Sequence, residues 1–215
     1  MLEDVLERDP RFGSQIGSDR RREVLEAAGE LFRSHGYHAT SMRDLARALG
    51  VQGSSLYAHV ASKEELLWEI VRSAAHAFMT EAGRVSAELP PAERLAALIR
   101  GHLRVIARQL STATVFFHEW KFLSPELRAQ VVAQRDAYEA HFRSAVASGV
   151  ASGVFVTEDP KLAATFMLSA LNWSYQWFDA RGSLSLDELS AHYTALIFRA
   201  LGADPAPFTN QPFTE

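Results

Sequence analysis

The stretch from Ser41 to Lys63, SMRDLARALGVQGSSLYAHVASK, restricts the fold more than any other part of the chain. Met42, Leu45, Ala46 and Leu49 fall at i, i+3, i+4 and i+7 and line one face of a short helix. Ser41 suits its N-cap, Asp44 stands three residues on as a short capping-box partner, and Gly50 suits the left-handed position past its end. After the break Gly50-Val51-Gln52, a second short helix is predicted from about Gly53 to His59, with Val51, Leu56 and Val60 spaced to pack back on the first. A helix this short is not stable alone, so its neighbours must hold it. Outward it leaves Ser54, Ser55, Tyr57 and His59, small or hydrogen-bonding groups instead of the Lys/Glu mixture of a solvated face. The pattern is a helix-turn-helix, whose second helix enters the major groove of DNA while the first crosses the backbone.

A net charge of −4 argues superficially against nucleic acid, so its distribution matters. From Arg11 to Lys63 eight Lys/Arg face five Asp/Glu, whereas thirteen face seventeen from Glu64 onward. The positive share therefore lies where the motif is, as in a small DNA-binding head on an acidic body. At 215 residues and 47% hydrophobic content the chain can bury one generous core or two modest ones. No run approaches the roughly 20 apolar residues of a membrane helix. The acidic start MLEDVLERDPRF is unlike a signal peptide, so a soluble, cytoplasmic protein is expected. The absence of cysteine removes disulfides, thiolate metal sites and thiol nucleophiles together.

Taken in order, residues 1–17 read as a flexible tail and residues 18–63 as a three-helix DNA-binding domain. Its first helix is predicted from about Asp19 to His35, with Arg20, Arg21 and Arg22 either solvated or meeting phosphate. Ser62-Lys63-Glu64-Glu65 is a capping box for a long fourth helix carrying Leu66, Leu67, Ile70, Val71, Ala74 and Phe78. Five further helices are expected over roughly Ala92–Leu110, Thr112–Phe122, Pro125–Ala151, Pro160–Ala180 and Leu186–Leu201. They complete an effector-binding and dimerisation domain, 64–202, before a C-terminal tail, 203–215. The fold class is all-α, with no strand signal and no internal repeat.

The segment KLAATFMLSALNWSYQWFDA is apolar all round, which requires cover on several sides. One cover is the body and the other a second subunit, so a homodimer is predicted through about 160–180 and 186–201, joined as a four-helix bundle. Phe116, Phe117, Trp120, Tyr138, Phe142, Phe166, Trp173 and Trp177 are either core or the lining of a cavity for a hydrophobic effector. Arg100, Arg104 and Arg108 share one helix face, which is either solvated or a ridge for the phosphates of a ligand. His118-Glu119 lacks the second histidine of a zinc motif, and no phosphate loop, dinucleotide fingerprint or nucleophile elbow is present. No metal, cofactor or enzymatic activity is expected.

Thr40, Asp44, Leu45, Ala46, Gly50, Val51, Ser55, Leu56, Tyr57, His59, Ser62, Lys63 and Leu66 stand in register with the helix-turn-helix run of the TetR family of bacterial repressors, which the chain resembles. It departs at Gln52, Ser54 and Val60, where the family usually has Ser, Gly and Phe. Gln52 is a poorer cap, and its amide is free to reach a base edge or phosphate. The resemblance implies a ligand-responsive repressor that binds a pseudo-palindromic operator as a dimer and holds its effector between body helices. Candidate DNA-contacting residues are then Thr40, Ser41, Arg43, Gln52, Ser54, Ser55, Tyr57, His59 and Lys63, with Lys63 matching the family's phosphate anchor. The segments His118–Phe155 and Asn172–Leu189 further resemble acyl-CoA-responsive members that control lipid, phenylacetate or steroid degradation. Steroid-CoA regulators carry Arg-x-x-x-Trp here, whereas this chain has Trp173 with Ser169 at the arginine position, which argues against a steroid-CoA and leaves a simpler acyl chain open. Two rivals stay open: a drug-responsive efflux repressor, with Glu119 as the acid that meets a cation, and a DNA-binding module without an effector.

Overall fold

Capping residues legible in the sequence open most of the helices. The computed structural model describes residues 10–179 and 181–209, and all regular structure among them is helical. The helices are α1 Pro10–His35, α2 Met42–Ala48, α3 Gly53–Tyr57, α4 Lys63–Gly83, α5 Pro91–Arg108, α6 Leu110–His118, α7 Pro125–Ala151, α8 Pro160–Trp173, α9 Leu186–Ala200 and the short α10 Ala206–Thr209. Single 3-10 turns, Trp120–Phe122 and Ser174–Gln176, follow α6 and α8. Ser41 and Asp44 form the reciprocal capping box of α2, and Ser185 and Glu188 that of α9. Ser62 caps α4 by accepting from the Glu65 amide at 3.0 Å, but the Glu65 carboxylate reaches the Ala61 amide at 2.6 Å instead of the cap's own. Asp159 accepts from the Lys161 and Leu162 amides, with Pro160 in the first helical position of α8.

Four boundaries differ from expectation. The first helix starts at Pro10 and not near Asp19, because proline at the first position needs no amide partner and Gly13 and Gly17 do not halt propagation. The rest of the predicted tail, residues 1–9, lies outside the described residues. The recognition helix stops at Tyr57, two residues early. The helix expected to run to Phe122 ends at His118 and tightens into a 3-10 turn. The one expected to reach Ala180 ends at Trp173, where the buried Ser174 hydroxyl donates back to the Leu171 carbonyl at 2.7 Å and competes with the helix ladder. Within the predicted C-terminal tail, α10 packs Phe208 against Phe198 with ring centroids 5.1 Å apart.

Two apolar clusters hold the helices together. The first gathers Val24, Phe32, Leu45, Leu56, Leu67, Val71 and Phe78, then continues into Ile106, Val115, Phe116 and Val131 of the body. The second is formed by α5, α7, α8 and α9 around Ile99, Leu103, Phe142, Val146, Met167, Leu171 and Phe198. The apolar core thus crosses position 63 along α4, so a ligand among the body helices is mechanically continuous with the head. Gly149 permits one close approach: a Cβ there would sit 2.0 Å from Cδ2 of the buried Phe155.

Candidate DNA interface and effector cavity

The head presents one face of uncommitted polar groups. Arg43, Gln52, Ser54, Ser55 and Tyr57 are exposed, with Tyr57 56% accessible, and His59 is half-buried. Gln52 makes no side-chain cap bond, so the entry to α3 carries a free amide. Ser41 is also exposed, but its hydroxyl is engaged with Asp44 at 2.6 Å, a contact that holds the Asp44 carboxyl below the usual carboxylate range. Beside this face, Arg21 reaches from α1 to Glu69 and Glu65 on α4 and to the His59 carbonyl, and those carboxylates raise its affinity for its proton. Arg21 is therefore a clamp across the head and not a phosphate contact.

Two residues expected to touch DNA have structural duties. Thr40 is 4% exposed, and its hydroxyl donates to the Gly36 carbonyl at 2.9 Å, closing the loop after α1. This corrects its assignment as a contact residue, since the hydroxyl points inward. Lys63 donates to the Tyr37 and Thr40 carbonyls, both at 2.9 Å, and its ammonium lies 4.2 Å from the centre of the Tyr37 ring. Two of the ammonium's three donors are thus engaged, leaving one for a phosphate.

Tyr37 also joins head to body. Its amide donates to the Glu119 carboxylate at 3.1 Å, and its ring stacks on Phe122 at 5.9 Å. His38 meets Phe122 edge-on at 4.1 Å, and the Ser124 amide donates to Glu64 of α4 at 2.8 Å. Glu119 therefore faces the head, and the expectation that it supplies an acid to the effector site is overturned by this contact.

Between α4, α5, α6, α7 and α8 lies a cavity of about 260 Å³. Ala75, Phe78, His102, Phe116, Phe117 and Tyr138 form its deep, apolar part, and Thr165, Leu168, Ser169 and Asn172 of α8 form one wall. Val132, Arg135, Asp136 and Glu139 of α7 surround its outer side, and Gln134 of the same helix lines it with a buried amide oxygen. His102 is 1% exposed, packs 4.9 Å from Phe78, and forms a hydrogen bond between Nδ1 and the Tyr138 hydroxyl at 3.1 Å, its direction set by the imidazole tautomer. Burial pushes its imidazole down to about 3, so it is neutral at pH 7, and burial pushes the Tyr138 phenol up.

Of the effector-site residues read from sequence, Phe116, Phe117 and Tyr138 line this cavity. The other seven do not. Phe142 is fully buried one layer behind His102, with ring centroids 6.4 Å apart. Trp120 packs beneath the Arg135 guanidinium, 5.2 Å from its ring centre. Arg100 is 8% exposed and bonds Asp187 of α9 at 2.6 Å, and Arg104 bonds Glu81 of α4 at 2.8 Å, so these two members of the arginine ridge are bound to carboxylates of the protein itself. Phe166, Trp173 and Trp177 point outward and are 61%, 61% and 52% exposed. Leu162 of α8 and Leu196 of α9 are exposed too, so α8, α9 and the residue after the 3-10 turn carry an apolar patch of the kind that marks an interaction surface. Sequence reasoning missed His102 and Gln134 as cavity residues. The available signal was a polar side chain inside an apolar helical face, a pattern that an ordinary core histidine shares.

Comparison with known proteins agrees with this geometry. The family model of bacterial regulatory proteins of the tetR family matches residues 24–70, and that of the tetracyclin repressor-like C-terminal domain matches residues 88–201. The HTH-type transcriptional repressor KstR2 of Mycobacterium tuberculosis is 28% identical over 190 residues, 87% of this chain and 94% of that protein. A crystal structure of the TetR-family regulator PfmR from Thermus thermophilus superposes with a TM-score of 0.76 at 36% identity, covering 82% of this chain and 97% of that one. AibR in complex with isovaleryl coenzyme A and operator DNA superposes with a TM-score of 0.76 at 29% identity, covering 83% and 98%. With both family models matched across head and body, this chain belongs to the TetR family of bacterial regulatory proteins, DNA-binding transcriptional regulators and not enzymes.

Proposed function

We propose that the protein is a repressor that binds a pseudo-palindromic operator as a homodimer and is released when a compact acyl-CoA fills the cavity between α4, α5, α6, α7 and α8. The observation that carries the effector half of this reading is the cavity itself: apolar at depth, polar at its rim, and lined by α4 and α6, the two helices that continue to the head. AibR, whose structure contains isovaleryl coenzyme A and operator DNA, supports both ligand classes by likeness. The cavity's size favours a short or single-ring acyl group, because an apolar cavity of about 150 Å³ already holds benzene.

The dimer half rests on the α8–α9 patch. Leu162, Phe166 and Trp173 recur at intervals of four and seven residues and so share one exposed face of α8, the spacing of packed helices. A second copy applied to this patch forms a four-helix bundle and sets two α3 helices about 34 Å apart, one turn of DNA. Gln52, Ser54, Ser55 and Tyr57 then read base edges or phosphates, with Arg43, His59 and the free donor of Lys63 on the backbone. Ligand against Phe78 of α4 and Phe117 of α6 shifts the head and alters that separation.

Fluorescence anisotropy with DNA from upstream of the protein's own gene tests the reading, with and without a panel of short, branched and aromatic acyl-CoAs. Release by one class is expected, whereas tight binding that no acyl-CoA disturbs rejects it. Asp136 and Glu139 at the rim favour a second reading, a lipophilic cation, which the same titration with such cations separates.

A further inference from the structure

Among the described residues, two buried side-chain polar atoms have no hydrogen-bond partner, His102 Nε2 and Gln134 Oε1, and both belong to residues that line the same cavity. Buried polar groups left unpaired are costly and correspondingly rare. Their convergence on one space marks a place where something polar is expected. His102 sits at the deep end, where Phe78, Phe117, Tyr138 and Phe142 surround its ring.

We propose that the effector carries a hydroxyl group at its buried end and that His102 Nε2 recognises it, with Gln134 Oε1 as the second polar contact. This rests on the acyl-CoA reading above and narrows it to hydroxylated acyl groups. The chemistry follows from the donor inventory. If the Tyr138 hydroxyl donates to His102 Nδ1, then Nε2 presents an N–H; if Nδ1 donates, Nε2 presents a lone pair. A hydroxyl satisfies either state: it accepts from Nε2–H and donates its proton to the Gln134 oxygen, or it donates that proton to the Nε2 lone pair and leaves the Gln134 oxygen to a second donor, whereas a methyl terminus satisfies neither. A carboxylate at this depth is disfavoured, because the imidazole is held neutral by burial and Arg100 and Arg104 are turned to Asp187 and Glu81. At about 260 Å³ the cavity admits one ring or a short chain together with its oxygen.

Calorimetric titration with two matched pairs tests the assignment: hexanoyl-CoA against 6-hydroxyhexanoyl-CoA, and phenylacetyl-CoA against 4-hydroxyphenylacetyl-CoA. At least one hydroxylated member is expected to bind about tenfold or more tightly than its partner, since a site built around a hydrogen bond rejects the analogue that lacks it. His102→Phe should abolish the preference and His102→Gln largely keep it. Gln134→Leu, at a half-buried position, should weaken only the hydroxylated member and guards against loss of folding in the His102 variants. Equal affinity within each pair overturns the hydroxyl assignment and leaves the acyl-CoA reading standing, because water then serves His102 equally well. No binding by any of the four, with operator binding intact, rejects the acyl-CoA reading and this inference with it.

Discussion

Thr40→Val separates a structural from a DNA-contacting role at a position where motif and structure disagree. Valine keeps the shape and removes one hydroxyl, which donates to the Gly36 carbonyl at 2.9 Å and lies 3.4 Å from the Leu31 carbonyl. A neutral intramolecular hydrogen bond is worth about 0.5–1.5 kcal/mol net, and leaving a buried acceptor unpaired adds about 1–3. Gly36 is half-buried, so water reaches its carbonyl and the second term stays small. The expected loss is therefore about 1–2 kcal/mol, or roughly 3–6 °C in Tm for a chain of this size. Thermal unfolding followed by circular dichroism measures it, and anisotropy at 15 °C should show operator affinity within about twofold of wild type. The opposite pattern, an unchanged Tm with operator affinity reduced about tenfold, would refute the reasoning and return Thr40 to the interface.

Lys63→Ala should both destabilise the head, by removing two hydrogen bonds to carbonyls, and reduce the salt slope of operator binding by about one ion; an unchanged slope means its third donor meets no phosphate. Gly149→Ala should cost about 1–3 kcal/mol in urea unfolding, because a Cβ 2.0 Å from Phe155 forces the ring out of its seat, and wild-type stability would show that the ring moves freely. His102 titrates near 6.5 when unfolded but near 3 when folded, so between those values the unfolded chain binds the extra proton and stability falls as pH falls. At pH 5 that penalty is about 2 kcal/mol relative to pH 8, and it should vanish in His102→Phe. Glu119→Ala should reduce the factor by which effector weakens operator binding, and a factor equal to wild type would remove Glu119 from the coupling.

The head was readable because its information is local. Ser41, Asp44 and Gly50 act within a few residues of themselves, and each does in the structure what its type and position imply. Thr40 and Lys63 were harder, because their partners lie on the loop between α1 and α2 and no spacing rule shows that a motif residue is spent on holding the motif together. Cavity residues were harder still. Phe116 and Phe117 look like Phe142, Phe166 and Trp173 in sequence, yet α6, α7 and α8 turn the first two inward to a space, bury the third and expose the others. Arg100 and Arg104 fall on a regular helical stripe, and only the placement of Asp187 and Glu81 by distant helices shows that the stripe is neutralised. Helix ends failed where a side chain overrode the pattern, as Ser174 does after α8.

Those long-range placements also set the scale of any coupling between cavity and head. α6 carries Phe116 and Phe117 into the cavity and, just past its end, carries Glu119 to the Tyr37 amide. Tyr37 in turn accepts from Lys63, whose other bond fixes Thr40 at the entrance to α2. A hydrogen bond to a charged group is worth about 1.5–3 kcal/mol, and allosteric coupling between sites is typically about 1–3 kcal/mol. Loss of the single Glu119–Tyr37 bond is thus commensurate with a full regulatory response. A ligand that displaces the end of α6 by enough to break it need not unfold the head or disturb the Arg21 clamp, which holds α1 to α4 independently. The head can then respond as a rigid unit, moving with α4 and Tyr37, because the Arg21 clamp inside it passes through neither Tyr37 nor Glu119.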